Sequence, residues 1–190
     1  SGSISVTTTA TPLDSGLTYL AYGRWAQSWP FGEFNDYEFV DYGWWLQGLA
    51  TPEAAIATQT GSYSYSGGAH GTMFTDWGSP AELTGAFSTT VNFDTARVDD
   101  FNLAVTGGGG HAAAIAGAGG DVAADGTFDL SGGAWTMSNS SGPVSVNHHE
   151  GHGRFFGPNA EEIGGDWAME GLVGIDTHVG AVGVFGGNRP

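Results

Sequence analysis

Hydrophobic and polar residues alternate along most of this chain, which is the pattern of a β-strand with one buried face. In TYLAYGRWAQSW, residues 18–29, every second position from Tyr19 to Trp25 shares one face of the predicted strand. The segment ELTGAFSTTVNFDTARVDDFNLAV, residues 82–105, has two such runs on either side of a turn near residues 94–97, and it predicts a hairpin. The chain therefore has the pattern of many short strands.

The spacing of these strands predicts an all-β fold. About eight to ten short strands separated by turn residues are typical of a barrel or a sandwich. Consecutive hairpins without a long crossover favour an antiparallel up-and-down barrel, which leaves no sheet edge exposed. Residues 1–18, rich in Ser and Thr, are predicted to be a linker or a loose N-terminal strand, and residues 19–190 a single barrel domain. One short helical turn is expected near residues 158–163, where Pro precedes two acidic residues and a Gly pair.

The composition supports the prediction of a β fold and excludes some classes of binding partner. The chain contains 34 glycines, which weaken helices but suit tight turns between strands. Its 20 acidic residues face only four basic ones, giving a net charge of -16, so we expect no nucleic-acid partner and no attraction to an anionic membrane. It has no cysteine, which excludes disulfides and thiolate ligands from this chain. No apolar run approaches the roughly 20 residues of a membrane-spanning helix.

No sequence motif indicates catalysis. A phosphate-binding loop needs a Lys that this chain lacks, and no Gly-x-Ser-x-Gly follows a strand. The segment HEGH, residues 149–152, is one residue shorter than the His-Glu-x-x-His of zinc proteases. An acidic pair of the glycosidase type stays open, because one sequence does not give distances between carboxylates. The prediction is a protein without enzymatic activity.

A histidine-rich strand is the sharpest candidate for metal binding. His148, Glu150 and His152 alternate, so a strand would place them on one face as His-x-Glu-x-His. Two imidazoles and one carboxylate can bind zinc or a similar divalent ion. The alternative is that this face is simply a solvated outer face, with His149 and its alternating neighbours pointing inward.

Haem is a second possible cofactor. His70, His111 and His178 are each able to serve as an axial ligand of haem iron, and their spacing does not distinguish them. Each also fits an ordinary position at a turn or a strand end.

An aromatic and acidic segment interrupts the early strand pattern. In WPFGEFNDYEFVDY, residues 29–42, four aromatic residues are expected in a loop, where aromatic side chains often anchor a protein partner: Trp29, Phe31, Phe34 and Tyr37. The alternative is that they fold over the mouth of the barrel as a plug.

Two C-terminal motifs resemble a known family. GRFFGPNAEEIGGDW, residues 153–167, and GVFGGNR, residues 183–189, resemble the signature of the transferrin-binding protein B-like β-barrel family. The matching residues of the first motif are Gly153, Phe155, Phe156, Gly157, Pro158, Ala160, Glu162, Gly164 and Gly165. Those of the second are Gly183, Val184, Phe185, Gly186 and Arg189. Gly187 replaces the usual Ala, and Asn188 is inserted before the basic residue.

The resemblance implies an eight-stranded antiparallel up-and-down barrel with a packed interior. Its members are surface or secreted proteins of bacteria that capture transferrin or haem, so the resemblance implies a monomeric, non-catalytic binding barrel at the outer surface of a Gram-negative bacterium, with a role in iron acquisition. Its partner would be an extracellular protein or haem.

Two other functions stay open. The chain could be a structural or adhesion module of a larger surface protein. It could also be a lipocalin-like carrier of a small apolar ligand, because the segment from Gly23 to Trp25 and the late Arg189 are similar to lipocalin motifs.

Overall fold

The computed structural model describes residues 7–13, 16–31, 37–75, 80–174 and 177–190, and it describes the side chains of these residues except for 7–11, 26–31 and 37–42. These ranges form twelve strands, which in chain order are β1 (Thr7–Leu13), β2 (Leu20–Phe31), β3 (Tyr37–Gly48), β4 (Ser62–Thr75), β5 (Ala81–Asn92), β6 (Arg97–Thr106), β7 (Ala112–Asp121), β8 (Thr127–Asp129), β9 (Ala134–Asn139), β10 (Gly142–Phe156), β11 (Glu162–Val173) and β12 (Thr177–Asn188). Helical structure in the described residues is limited to α1 (Glu53–Ile56) and a 3-10 turn at Gly108–Gly110.

Strands β4 to β12 close into an antiparallel barrel. Each pairs with its neighbour in the sheet, and the additional pairing of β10 with β11 joins the two ends of the order β11-β12-β4-β5-β6-β7-β9-β10. The short β8 also pairs with β10, so β8 and β9 act as one interrupted strand between β7 and β10. The predicted eight-stranded antiparallel barrel is confirmed.

Side chains fill the interior of this barrel. Phe87, Phe101 and Phe185, from three different strands, meet with ring centroids 4.9 to 5.8 Å apart. All three methionines of the chain are buried in the same core, and so is Phe155, as the alternation in β10 predicts. The interior is thus a packed core.

Strands β1, β2 and β3 form a separate three-stranded sheet outside the barrel. Residues 19–190 are predicted as one barrel domain, whereas β2 and β3 belong to this sheet. Thr7–Leu13, within the segment expected to be a linker or a loose first strand, pairs with β2. Leu20 and Tyr22 are buried against Val184 on the outer face of β12. Alternation does not distinguish the two arrangements, because a strand lining a barrel and a strand packed on its outside each bury one face.

The helical turn expected near residues 158–163 differs in the structure. Residues 157–160 form a hydrogen-bonded turn, and β11 begins at Glu162. Gly157 and Ala160 have φ angles of 87° and 59°, which a right-handed helix does not allow. The hydroxyl of Tyr65 donates to the Ala160 carbonyl at 2.6 Å and fixes the turn over one end of the barrel.

Candidate functional site

The three-stranded sheet packs into a depression that glycines leave on the outer surface of the barrel. A Cβ atom on Gly186 would lie 2.5 Å from the Tyr22 ring, and one on Gly164 would overlap with the Leu20 side chain. Both glycines belong to the C-terminal motifs described above. They are therefore required for close packing between the barrel and the sheet.

A buried carboxylate fastens the start of β2 to the barrel. Glu162, 4 % exposed, accepts hydrogen bonds from the backbone N–H groups of Thr18, Tyr19 and Leu20 at 2.5, 2.9 and 2.8 Å. Hydrogen bonds to a charged acceptor are stronger than those between neutral groups. The sequence identified Glu162 only as a position of the first C-terminal motif, because the backbone donors that it binds lie more than 140 residues away in the chain.

Two further contacts hold the sheet near the middle of β2. Arg24 forms an ion pair with Glu82 on β5. The ring of His70, on β4, lies between Tyr22 and Trp44, with centroid distances of 5.9 and 6.3 Å. Burial lowers the pKa of His70, so its neutral form is favoured at this contact. As a candidate haem ligand, His70 is thus shielded by aromatic rings.

The predicted aromatic loop is largely a hairpin in the structure. The β2–β3 ladder continues to the pairs Trp29↔Phe39 and Phe31↔Tyr37, so these positions are strand positions, whereas Phe34 lies outside the described residues. Hairpin pairing overrides the local acidic and Gly residues that suggested a loop. For Trp29, Phe31 and Tyr37 the structure describes the backbone pairing of the two strands and not the side chains.

The candidate metal ligands lie on the outer face of β10. His148, Glu150 and His152 are exposed, opposite Glu170, Ala168 and Asp166 of β11. A register shift between residues 146 and 148 interrupts the ladder beside them. Within the described part of the chain, no three His, Asp or Glu side chains are grouped closely enough to hold a metal ion.

His152 instead takes part in an ionic contact. Its Nδ1 lies 3.0 Å from Oδ1 of Asp166, and its Nε2 lies 4.0 Å from Oδ1 of Asp129. The hydrogen bond to Asp166 raises the pKa of His152, and the charges of both aspartates act in the same direction. These contacts therefore favour the protonated form of this histidine.

The remaining histidines occupy three different settings. His149, which the alternation predicts to point inward, is exposed on β10 and stacks on Trp135 with a centroid distance of 4.6 Å. The Nδ1 atom of His111 lies 2.6 Å from the Gly108 carbonyl oxygen, so this ring is part of the 3-10 turn. His178 is exposed near the start of β12. Sequence analysis did not identify the His149–Trp135 stack, since its partners are distant in sequence.

None of the helices formed by the described residues has the length and hydrophobicity needed to span a lipid bilayer. No family model matches the chain, and no curated protein matches it.

Two solved structures share the fold. A mutant of transferrin binding protein B from Haemophilus parasuis Hp5 aligns over 96 % of this chain and 35 % of its own, with a TM-score of 0.60 and 16 % identity. A double mutant of the same protein aligns over 99 % of this chain and 38 % of its own, with a TM-score of 0.51 and 15 % identity. This chain thus spans little more than a third of the length of either protein. The fold resembles that of transferrin binding protein B.

Proposed function

We propose that this chain is a non-catalytic binding barrel of the bacterial cell surface, and that it holds an extracellular protein partner through the β2–β3 hairpin. The observation that carries the proposal is the packed interior. Because side chains from strands β4 to β12 fill the interior, the barrel serves as a rigid scaffold, and recognition falls to the elements outside it.

The filled core also argues against a lipocalin-like carrier. Such a carrier holds its ligand inside the barrel, in the space that Phe87, Phe101 and Phe185 occupy here. Small apolar ligands would have to displace a core with rings in direct contact. Binding inside the barrel is therefore the less favoured function.

The hairpin has the features of a protein-binding element. From Arg24, whose side chain contacts the barrel, β2 continues to Phe31, which is roughly 23 Å of strand at about 3.3 Å per residue. Its sequence combines aromatic with acidic residues. Aromatic residues supply much of the binding energy of protein interfaces, and acidic residues select a partner with a basic surface.

Transferrin is the first partner to test. Both solved structures described above are transferrin binding proteins by name, and their likeness to this chain supports a related surface role in iron acquisition. The net charge of -16 favours a partner whose contact surface is basic.

The experiment measures binding of iron-loaded transferrin to the immobilised chain by surface plasmon resonance. We expect saturable binding that the combined W29A, F31A and Y37A substitutions weaken by at least about tenfold. The matched control is Phe74→Ala, which removes an exposed aromatic side chain from β4 and leaves the hairpin unchanged.

Circular dichroism melting separates loss of binding from loss of folding. Equal binding by the triple variant and the parent would exclude the hairpin as the contact. No binding of transferrin by the parent would reject transferrin and favour a structural or adhesion module.

Cleavage by an external protease on intact cells that express the parent gene tests surface exposure, and protection from cleavage would reject a cell-surface location.

A further inference from the structure

The end of the barrel beneath α1 carries a pocket that the proposed protein binding does not use. It lies between α1 and two turns, one at residues 93–96 and the other at residues 122–124, and has a volume of about 540 Å³. Sites for small molecules have volumes of roughly 300–1,000 Å³, so the pocket has the size of a ligand site.

The lining of the pocket is largely apolar. Ile56, Phe93 and Val122 belong to the core or pack against it and contribute to the lining. Five exposed alanines complete the lining: Ala54, Ala57, Ala96, Ala123 and Ala124. Because alanine side chains are small, they create the concavity that larger residues would fill. Exposed apolar surface gathered in one concavity is typical of a binding site.

The walls of the pocket are held rigidly. The N–H of Val122 donates to the Ala96 carbonyl at 2.8 Å and joins the two turns. The Asn92 side chain accepts hydrogen bonds from the N–H groups of Asp94 and Thr95. At the C-terminal end of α1, the Thr58 hydroxyl donates to the Ala55 carbonyl at 3.0 Å. A preformed pocket loses little conformational entropy when it binds a ligand.

Backbone strain marks the same place. Ala96 has a φ of 49°, a left-handed conformation that costs a residue with a Cβ atom about 1 kcal/mol or more. Glycine or asparagine would adopt this conformation more easily. Ala96 at this position also lines the pocket.

The polar part of the lining is acidic. Among the described residues, Glu53 and Gln59 are the polar side chains of the pocket, and no described Arg, Lys or His lines it. Arg189 contacts Gln59, but its guanidinium lies over the Tyr63 ring at 4.3 Å and donates to the Asn159 carbonyl at 2.7 Å. Arg97, which follows Ala96 in the chain, forms ion pairs with Asp99 and Asp121. A ligand anion would therefore meet the Glu53 carboxylate without a compensating cation.

We propose that this pocket binds a small amphiphilic cation, a free amine whose aromatic or aliphatic body enters the alanine-lined cavity and whose ammonium group pairs with Glu53. Volume and apolar lining select the body of the ligand, and the single carboxylate selects its charge. The site is independent of the β2–β3 hairpin.

The test is isothermal titration calorimetry with three probes of one shape, namely phenethylamine, 2-phenylethanol and phenylacetate. We expect phenethylamine to bind with a Kd on the order of 0.1–1 mM and the other two at least about tenfold more weakly. Equal binding of the amine and the alcohol would overturn the role of Glu53. No binding of any probe would overturn the site.

Three variants locate the binding. Ala123→Leu fills the cavity and should weaken phenethylamine binding by at least about tenfold. Its matched control, Ala104→Leu on the exposed face of β6, should bind as the parent does. Glu53→Gln keeps the shape of the pocket and should remove the preference for the amine over the alcohol. Should Ala123→Leu fail to fold by circular dichroism, Glu53→Gln decides alone, and an unchanged preference in that variant contradicts the proposal.

Discussion

His152 shows how aspartates on two neighbouring strands favour the protonated form of one histidine. It lies 3.0 Å from Asp166 and 4.0 Å from Asp129, and the hydrogen bond to Asp166 raises its pKa. The folded chain therefore binds a proton more tightly at His152 than the unfolded chain does. The stabilisation is fully present below the unfolded pKa of about 6.5 and is lost as the pH rises through the higher folded pKa.

We predict that His152→Gln loses more stability in acid than in base. Compared with the parent, its free energy of unfolding in urea should fall by up to about 1 kcal/mol at about pH 5.5 and by less at about pH 8.5, because the exposed ion pair is weak and exists only with a charged histidine. In the parent, an NMR titration should give His152 a pKa above its ordinary value, which Asp166→Asn lowers. A deficit that grows with pH would contradict the prediction.

Glu162 is the residue on which the attachment of the sheet depends. Its buried carboxylate accepts three hydrogen bonds, one from each backbone N–H group of residues 18–20. In Glu162→Gln one oxygen is replaced by an NH₂ donor that faces other donors, so we predict a loss of about 1–3 kcal/mol in unfolding free energy. Hydrogen exchange of the amides of residues 18–20 should also become faster.

The matched control is Glu170→Gln, which changes an exposed glutamate on the same strand, β11. It should remain within about 0.5 kcal/mol of the parent. Equal effects of the two substitutions on stability and on amide exchange would show that Glu162 does not fasten the sheet.

At the level of strands, aromatic rings in the barrel interior pack against glycines of other strands. The Trp167 ring lies over Gly71 and Gly183 of neighbouring strands, and the Phe128 ring lies over Gly153. Each ring occupies the space that a side chain on the facing glycine would fill. This pairing explains how a small barrel encloses large aromatic residues at close packing.

We predict that Gly153→Ala destabilises the barrel by about 1–3 kcal/mol, since the new methyl group would overlap with the Phe128 ring and force it to move. The comparison is Gly108→Ala, at a position with open space and no positive φ. Thermal and urea unfolding of both variants measure the difference. If Gly153→Ala were as stable as Gly108→Ala, the ring would not depend on the missing side chain.

Alternation predicts the strands well because it reflects which residues are buried. It does not identify the surface against which each residue packs. Phe87 and Phe101 follow the pattern and line the barrel, whereas Tyr22 follows it equally well and packs outside. The signals near Pro158 suggested a helix, since the sequence does not reveal that Ala160 adopts a left-handed conformation. Similarly, spacing gave the outward face of His152 but not its partners Asp129 and Asp166, which other strands bring to it.

The whole molecule combines a closed barrel, an attached sheet and a large excess of negative charge. Ion pairs among the described residues involve Arg24, Arg97, Arg154 and His152, and every one of these side chains is partly exposed. Exposed pairs each contribute about 0–1 kcal/mol, so they offset little of the repulsion among 20 acidic residues. The fold is therefore stabilised by its packed core against its own net charge.

We predict that salt stabilises the protein. Raising NaCl from about 0.01 M to about 0.3 M at neutral pH shortens the screening length several-fold, which weakens repulsion across the surface more than it weakens the few ion pairs. The Tm should rise by several degrees and level off near the upper concentration. KCl over the same concentrations is the control and should raise the Tm equally, because screening depends on ionic strength and not on the identity of the cation. A Tm that falls or stays constant over this range would mean that the ion pairs contribute more to stability than the repulsion removes.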